Sequence, residues 1–266
     1  MKRRNNISLI VLLASLLSSC GQNQNNPHIL KNGDLEYVDE INDDNAFING
    51  TYSYLEMMLE ANESFIFYLM QEECSGCKEF KDKMLSFIQS THSLVARMNI
   101  TNNDEFEKFA NKYHDQFFYK NVITTPQVYV VSNKESVIAV PSSRYSTATM
   151  FKGAMNDYIY NSNVYTFSTY QSYANFLEKE DDLLTIIVDY TKKETIELYK
   201  SVIEQKIKAT SKKVALIQIL SEDSEFLTKL EITDSTYPLG IRKATNERVT
   251  FKVNDENCEQ FLDTYL

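Results

Sequence analysis

The sequence predicts an α/β protein of two domains, each a mixed central sheet flanked by helices, within 266 residues. Three observations carry that prediction. Continuous apolar runs at Phe65–Met70, Leu183–Tyr190 and Val214–Leu220 have the pattern of strands buried on both faces of a sheet. Stretches with helical spacing of apolar residues lie between them, as in a layered α/β sheet. The layout of the first half also returns in the second: Cys74 to Pro126 spans 52 positions and Thr191 to Pro238 spans 47.

Residues 1–19 are a different kind of sequence. Lys2, Arg3 and Arg4 precede an apolar run, Ile7 to Leu17, that is short for a membrane span, and small residues follow. This is the pattern of an export signal. Leu17-Ser18-Ser19-Cys20-Gly21 resembles the lipobox of bacterial lipoproteins, which implies cleavage before Cys20 and a lipid on that cysteine. The expected location is the extracytoplasmic face of a bacterial membrane, with the membrane itself a partner through the anchor. Two acyl chains are what durable anchoring requires. Loss of three basic residues and no acidic ones takes the formal charge from −10 to −13. That charge argues against a nucleic-acid groove and against attraction to anionic lipid. Residues 20–34, rich in Asn and Gln, read as a flexible tether.

The first domain is expected over 35–160. Leu35 to Ile48 is a candidate edge strand, and Thr51 to Ala61 a helix with Tyr54, Leu55, Met58 and Leu59 on one side. The strand Phe65–Met70 leads through a polar turn into a helix whose first turn holds Cys74-Ser75-Gly76-Cys77. A second strand, Ser93 to Ile100, and an amphipathic helix, Asp104 to Phe118, follow. Gln127 to Ser132 and Ser136 to Val140 read as a hairpin, closed by a helix at Thr147 to Tyr158. The second domain, 161–266, reads as helix (Thr166 to Glu178), strand, helix (Thr195 to Ile207), strand, short helix (Glu225 to Leu230), hairpin and a final helix, Glu256 to Tyr265.

The chemistry concentrates at Cys74 and Cys77. A helix N-terminus presents unpaired N–H groups and a positive dipole end, which favour a thiolate. The Cys74 pKa is thereby expected below the ordinary value of roughly 8.5. Cys77, one turn on, is spaced to resolve a mixed disulfide on Cys74, so the pair can exchange thiol for disulfide. Half of a zinc site and an inert structural bridge are the other readings. Tetrahedral zinc wants a second ligand pair, and His28, His92 and His114 are scattered, so no metal is expected. Cys258 in the last helix reads as a small buried apolar residue.

Together these residues carry a family resemblance. Cys74-Ser75-Gly76-Cys77-Lys78, the strand Val95 to Ile100 and Val122-Ile123-Thr124-Thr125-Pro126 resemble, in order, the active site, third strand and cis-proline segment of thioredoxin-fold proteins. The resemblance implies a thiol–disulfide oxidoreductase acting on cysteine-containing exported proteins. It would need no cofactor and would exchange electrons with a redox partner the sequence does not identify. It also implies that Thr125 and cis-Pro126 hold an extended substrate backbone by strand addition. Departures are visible. Glu73 replaces the family's tryptophan and with Glu72 would push the Cys74 pKa up. Tyr68 stands where a buried carboxylate is usual, and Arg97, where a lysine is usual, reads as a solvated strand-end residue. The second half is similar to the redox-inactive domains of protein disulfide isomerases. The alternative function is a surface binding or export-accessory lipoprotein whose CxxC is structural or vestigial.

Overall fold

The computed structural model describes residues 26–101, 103–118, 122–252 and 256–266. The export signal (1–19) and the expected lipid attachment at Cys20 lie outside them. Among the described residues, eleven strands form two mixed sheets flanked by helices. No helix there is long and apolar enough to cross a membrane.

The first sheet is built from β2 (Ile48–Asn49), β3 (Phe65–Met70), β4 (Val95–Asn99), β5 (Gln127–Asn133) and β6 (Ser136–Ala139), in spatial order β2-β4-β3-β5-β6. β3 is central, parallel to β4 with Phe67 opposite Ala96 and antiparallel to β5 with Phe67 opposite Tyr129. The helices α1 (Tyr52–Glu60), α2 (Ser75–Thr91), α3 (Asp104–Phe117) and α4 (Ala148–Tyr158) cover it. Phe65 to Leu69 are all buried, as a strand covered on both faces requires.

The second sheet repeats that order with β7 (Tyr160–Thr166), β8 (Leu184–Asp189), β9 (Val214–Ile219), β10 (Leu239–Arg242) and β11 (Glu247–Thr250), arranged β7-β9-β8-β10-β11. Its helices are α5 (Tyr170–Lys179), α6 (Lys193–Leu198), α7 (Glu204–Ala209), α8 (Glu225–Lys229) and α9 (Glu256–Tyr265), with a π-helical turn at Tyr199–Ile203 between α6 and α7. In both sheets the first three strands are parallel, the second lies at the centre, and the last two return as an antiparallel hairpin. Both therefore have the thioredoxin-like topology.

Three expectations need correcting. Over its described part, 26–34, the tether expected over 20–34 gives way to folded structure: β1 (His28–Asn32) joins the second sheet parallel to β7, and Gly33–Leu35 forms a 3₁₀ turn. A five-residue polar-flanked segment has no internal signal for this, because its partner lies more than a hundred residues away. The edge strand expected over Leu35 to Ile48 shrinks to β2, two residues paired with Ala96 and Arg97. The second domain also starts with a strand, β7, that its mixed polar composition conceals.

β1 joins the two halves. Besides pairing with β7, it accepts the Leu94 N–H at the Leu30 carbonyl (2.8 Å) and donates its Asn32 N–H to the His92 carbonyl (2.7 Å). Behind it a contiguous core runs from Leu55, Met58 and Phe67 of the first half to Val188, Tyr199 and Ile203 of the second. Glu63, fully buried at this junction, faces Lys200 at 2.7 Å and Lys208 at 3.5 Å and accepts a hydrogen bond from the Tyr190 hydroxyl at 2.5 Å. Burial opposes its charge, but the two ammonium groups outweigh it and hold the carboxyl pKa at about 2.

Candidate active site

β3 ends at Met70, and a short turn delivers Cys74 as the N-cap of α2. Its backbone is extended, and its side chain does what a serine or aspartate does at such a position: Sγ accepts the Cys77 N–H at 3.1 Å. Gly76 is the residue between the thiols that faces Pro126. A β-carbon there would stand 3.3 Å from the proline Cδ and 3.8 Å from Cys74 Sγ, so this edge of the helix has little room for a side chain. The Thr125–Pro126 bond is cis, the one such bond among the described residues, and Cys74 Sγ lies 3.5 Å from the Thr125 carbonyl. Cys74, Thr125 and Pro126 are half-buried, and Cys77 is buried.

The two thiols are driven apart. Burial works against a Cys74 thiolate, but the Cys77 thiol, the Cys77 N–H, the Thr125 hydroxyl and the Gly76 N–H all favour it, and the net pKa falls below 9.0. Burial pushes the Cys77 thiol up, and its hydrogen bond to Cys74 adds to that. The upward push expected from Glu72 and Glu73 does not decide the matter. Glu72 accepts a hydrogen bond from the Asn99 amide at 2.8 Å, and Glu73 faces Lys78 at 3.8 Å, both on the exposed rim.

Behind Cys77 is a cavity of about 170 Å³ that sequence reasoning did not foresee, bordered by Tyr68, Asp43, Lys81 and Arg97. Burial raises the Tyr68 hydroxyl well above its ordinary pKa, which rules it out as a base near neutrality. Arg97 is not a solvated strand end. Its guanidinium pairs with Asp43 at 2.5 Å and stacks 4.3 Å over the Phe47 ring, while Lys81 approaches Asp43 at 3.8 Å. A carboxylate does border this cavity, that of Asp43, in the irregular segment before β2. No local pattern marks it, because only the fold brings it to Arg97.

Val122 and Ile123, shortly before the cis bond in sequence, are large apolar residues 59% and 41% exposed. No group of three or more histidine, cysteine or acidic side chains among the described residues is disposed to hold a metal ion. Cys258 is buried, with Sγ 3.6 Å from the Thr250 carbonyl.

No family model matches the sequence, and no curated protein matches it. Solved structures do. A crystal structure of ERdj5 is 11% identical, with 84% of this chain and 31% of that chain covered and a TM-score of 0.33. The first two thioredoxin domains of Naumovozyma dairenensis Eps1p are 14% identical over 82% of this chain and 95% of that one, at 0.30. The bb fragment of ERp72 is 10% identical over 80% and 92%, at 0.32. The chain spans about a third of the length of the ERdj5 structures. At these scores the fold assignment rests on the strand order and helix placement of the two sheets themselves.

Proposed function

We propose, on the premise of two thioredoxin-like folds of which the first carries a thiol pair, that this protein is a thiol–disulfide oxidoreductase for exported proteins, anchored through Cys20. The observation that carries the reading is the position of Cys74 Sγ. It caps the helix N-terminus, accepts the Cys77 N–H, and lies beside the Thr125 carbonyl, where an extended peptide can pair with the backbone.

In the reducing direction the Cys74 thiolate attacks one sulfur of a substrate disulfide. A Cys74–substrate bond forms, the substrate S–S bond breaks, and the departing sulfur takes up a proton. Cys77 then loses its proton and attacks Cys74 Sγ. The second substrate thiolate leaves, and the Cys74–Cys77 disulfide carries the two electron equivalents of oxidation until a dithiol partner reduces it. The raised Cys77 pKa makes its deprotonation the step that needs help. Asp43, which borders the same cavity, would receive that proton through water. In the oxidising direction the same bonds form and break in reverse.

Insulin reduction by dithiothreitol, with and without the protein, tests the reading. Wild type accelerates it and Cys74→Ser does not, while Cys77→Ser accumulates reductant-sensitive mixed disulfides through Cys74. Equal rates for wild type and Cys74→Ser, with no trapped species, favour the binding-protein alternative.

A further inference from the structure

The short distance between Cys20 and the folded body has a consequence for orientation, and it rests on the lipid-anchor reading above. The chain is fixed from Asn26 onward: the Asn26 amide donates to the Asp157 carbonyl at 3.0 Å, and the Tyr160 N–H donates to the Pro27 carbonyl at 2.9 Å. Six Cα-to-Cα steps separate Cys20 from Asn26, which span at most about 20 Å when fully extended. An acylated Cys20 therefore keeps Asn26 close to the lipid surface.

Asn26 and Pro27 lie at the pole of the molecule where its two halves meet around one cavity of about 760 Å³, bordered by Ser64, Asn133 and Glu135 at the start of β3 and the β5–β6 turn and by Lys200, Glu204 and Lys208 of the second half. Cys74 follows the opposite end of β3, six residues on, about 20 Å away at strand rise. Tyr160, 45% exposed beside Pro27 with its ring 5.4 Å from that of His28, adds an amphipathic aromatic at the same pole. Such rings suit the boundary between water and lipid headgroups.

We infer that the anchored protein sits with the Pro27–Asn133 pole against a lipid surface and its thiols directed away from it. In that orientation the pair meets disulfides of soluble exported proteins, not cysteines at the depth of the bilayer.

Energy transfer to a headgroup-labelled lipid tests this with full-length, acylated protein carrying Cys74→Ser and Cys77→Ser. One donor dye is placed at Glu135→Cys or at Glu79→Cys, both exposed positions, and the protein is reconstituted into phosphatidylglycerol–phosphatidylethanolamine vesicles. Transfer from position 135 is expected to exceed transfer from position 79. Equal transfer, or more from position 79, on protein that does bind the vesicles overturns the orientation and leaves the anchor standing. Failure of both labelled proteins to bind overturns the anchor and the inference with it.

Discussion

The helix after the central strand begins alike in the two domains and ends in different chemistry. Residues 74–77 and 192–195 run through the same sequence of burial, half-buried, exposed, exposed, buried, so Lys192 occupies the place of Cys74 and Thr195 that of Cys77. This moves the sequence correspondence by one position, from Thr191 to Lys192. In the first domain the strand before this turn ends in Met70, and the Cys74 sulfur accepts the Cys77 N–H. In the second it ends in Asp189, 4% exposed, which accepts from the Thr191 N–H at 3.0 Å and the Ser235 hydroxyl at 2.7 Å and pairs with Lys192 at 3.1 Å. Lys192 also donates to Ser235 at 2.7 Å, and the Thr195 hydroxyl donates to the Thr236 carbonyl at 3.0 Å. A closed polar network thus fills the position that Cys74 and Cys77 take in the first domain. One backbone supports both, and the side chain that ends the strand accompanies the difference.

Exchanging these side chains should separate the two turns most sharply. Cys74→Ser is expected to abolish insulin reduction, while Lys192→Ala leaves it within about twofold, as for a surface change away from the site. Placing Lys192→Cys and Thr195→Cys in the Cys74→Ser/Cys77→Ser protein should not restore activity, because Asp189 and Ser235 still hold that turn. Restored turnover would show that the second domain lacks only its cysteines.

Next in size is the junction that holds the domains together. Glu63→Gln removes the fully buried one of the two carboxylates, Glu63 and Glu204, that Lys200 and Lys208 share, so the loss should fall at or below the low end of the about 3–5 kcal/mol for breaking a buried pair, readable as a lowered urea midpoint. The pH sign follows from the carboxyl pKa, about 2 in the fold against an ordinary 4.5. A depressed carboxyl pKa stabilises the fold fully above 4.5 and loses that contribution as pH falls toward 2. Urea unfolding across that window should show the wild type losing more stability than Glu63→Gln.

A smaller effect is expected at Asp43. Asp43→Asn should slow release of the mixed disulfide by on the order of tenfold, below the full range for general base catalysis because water can still carry the proton. Attack by Cys74 should be unchanged, so stopped-flow kinetics separates the two steps. The smallest effect is that of Gly76→Ala. The new methyl group meets Pro126 Cδ at 3.3 Å, so substrate turnover should fall modestly while the denaturation midpoint stays close to wild type.

What the sequence made legible was local. An uninterrupted apolar run marked β3, a cysteine pair after a polar turn marked the helix N-terminus, and Thr125-Pro126 preceded an alternating hairpin. What it hid depends on distant pairing. β1 is a strand only because β7 lies beside it, and β2 is two residues long. Asp43 sits in a segment without periodicity, and Arg97 shows its role only once Asp43 and Phe47 are in place. Glu63 left a fainter trace, a lone carboxylate directly before the buried strand, but nothing in its neighbourhood names Lys200 and Lys208 as partners.

On the proposed function the fold separates the two thiols, with Cys74 the nucleophile and Cys77 held protonated in reserve. Iodoacetamide alkylation of the reduced protein as a function of pH, with each cysteine followed by peptide mass spectrometry, measures this directly. Cys74 should be alkylated first, with a midpoint below that of an ordinary thiol, and Cys77 only at higher pH. A Cys74 midpoint at or above the ordinary value of roughly 8.5, or earlier modification of Cys77, would overturn this reading.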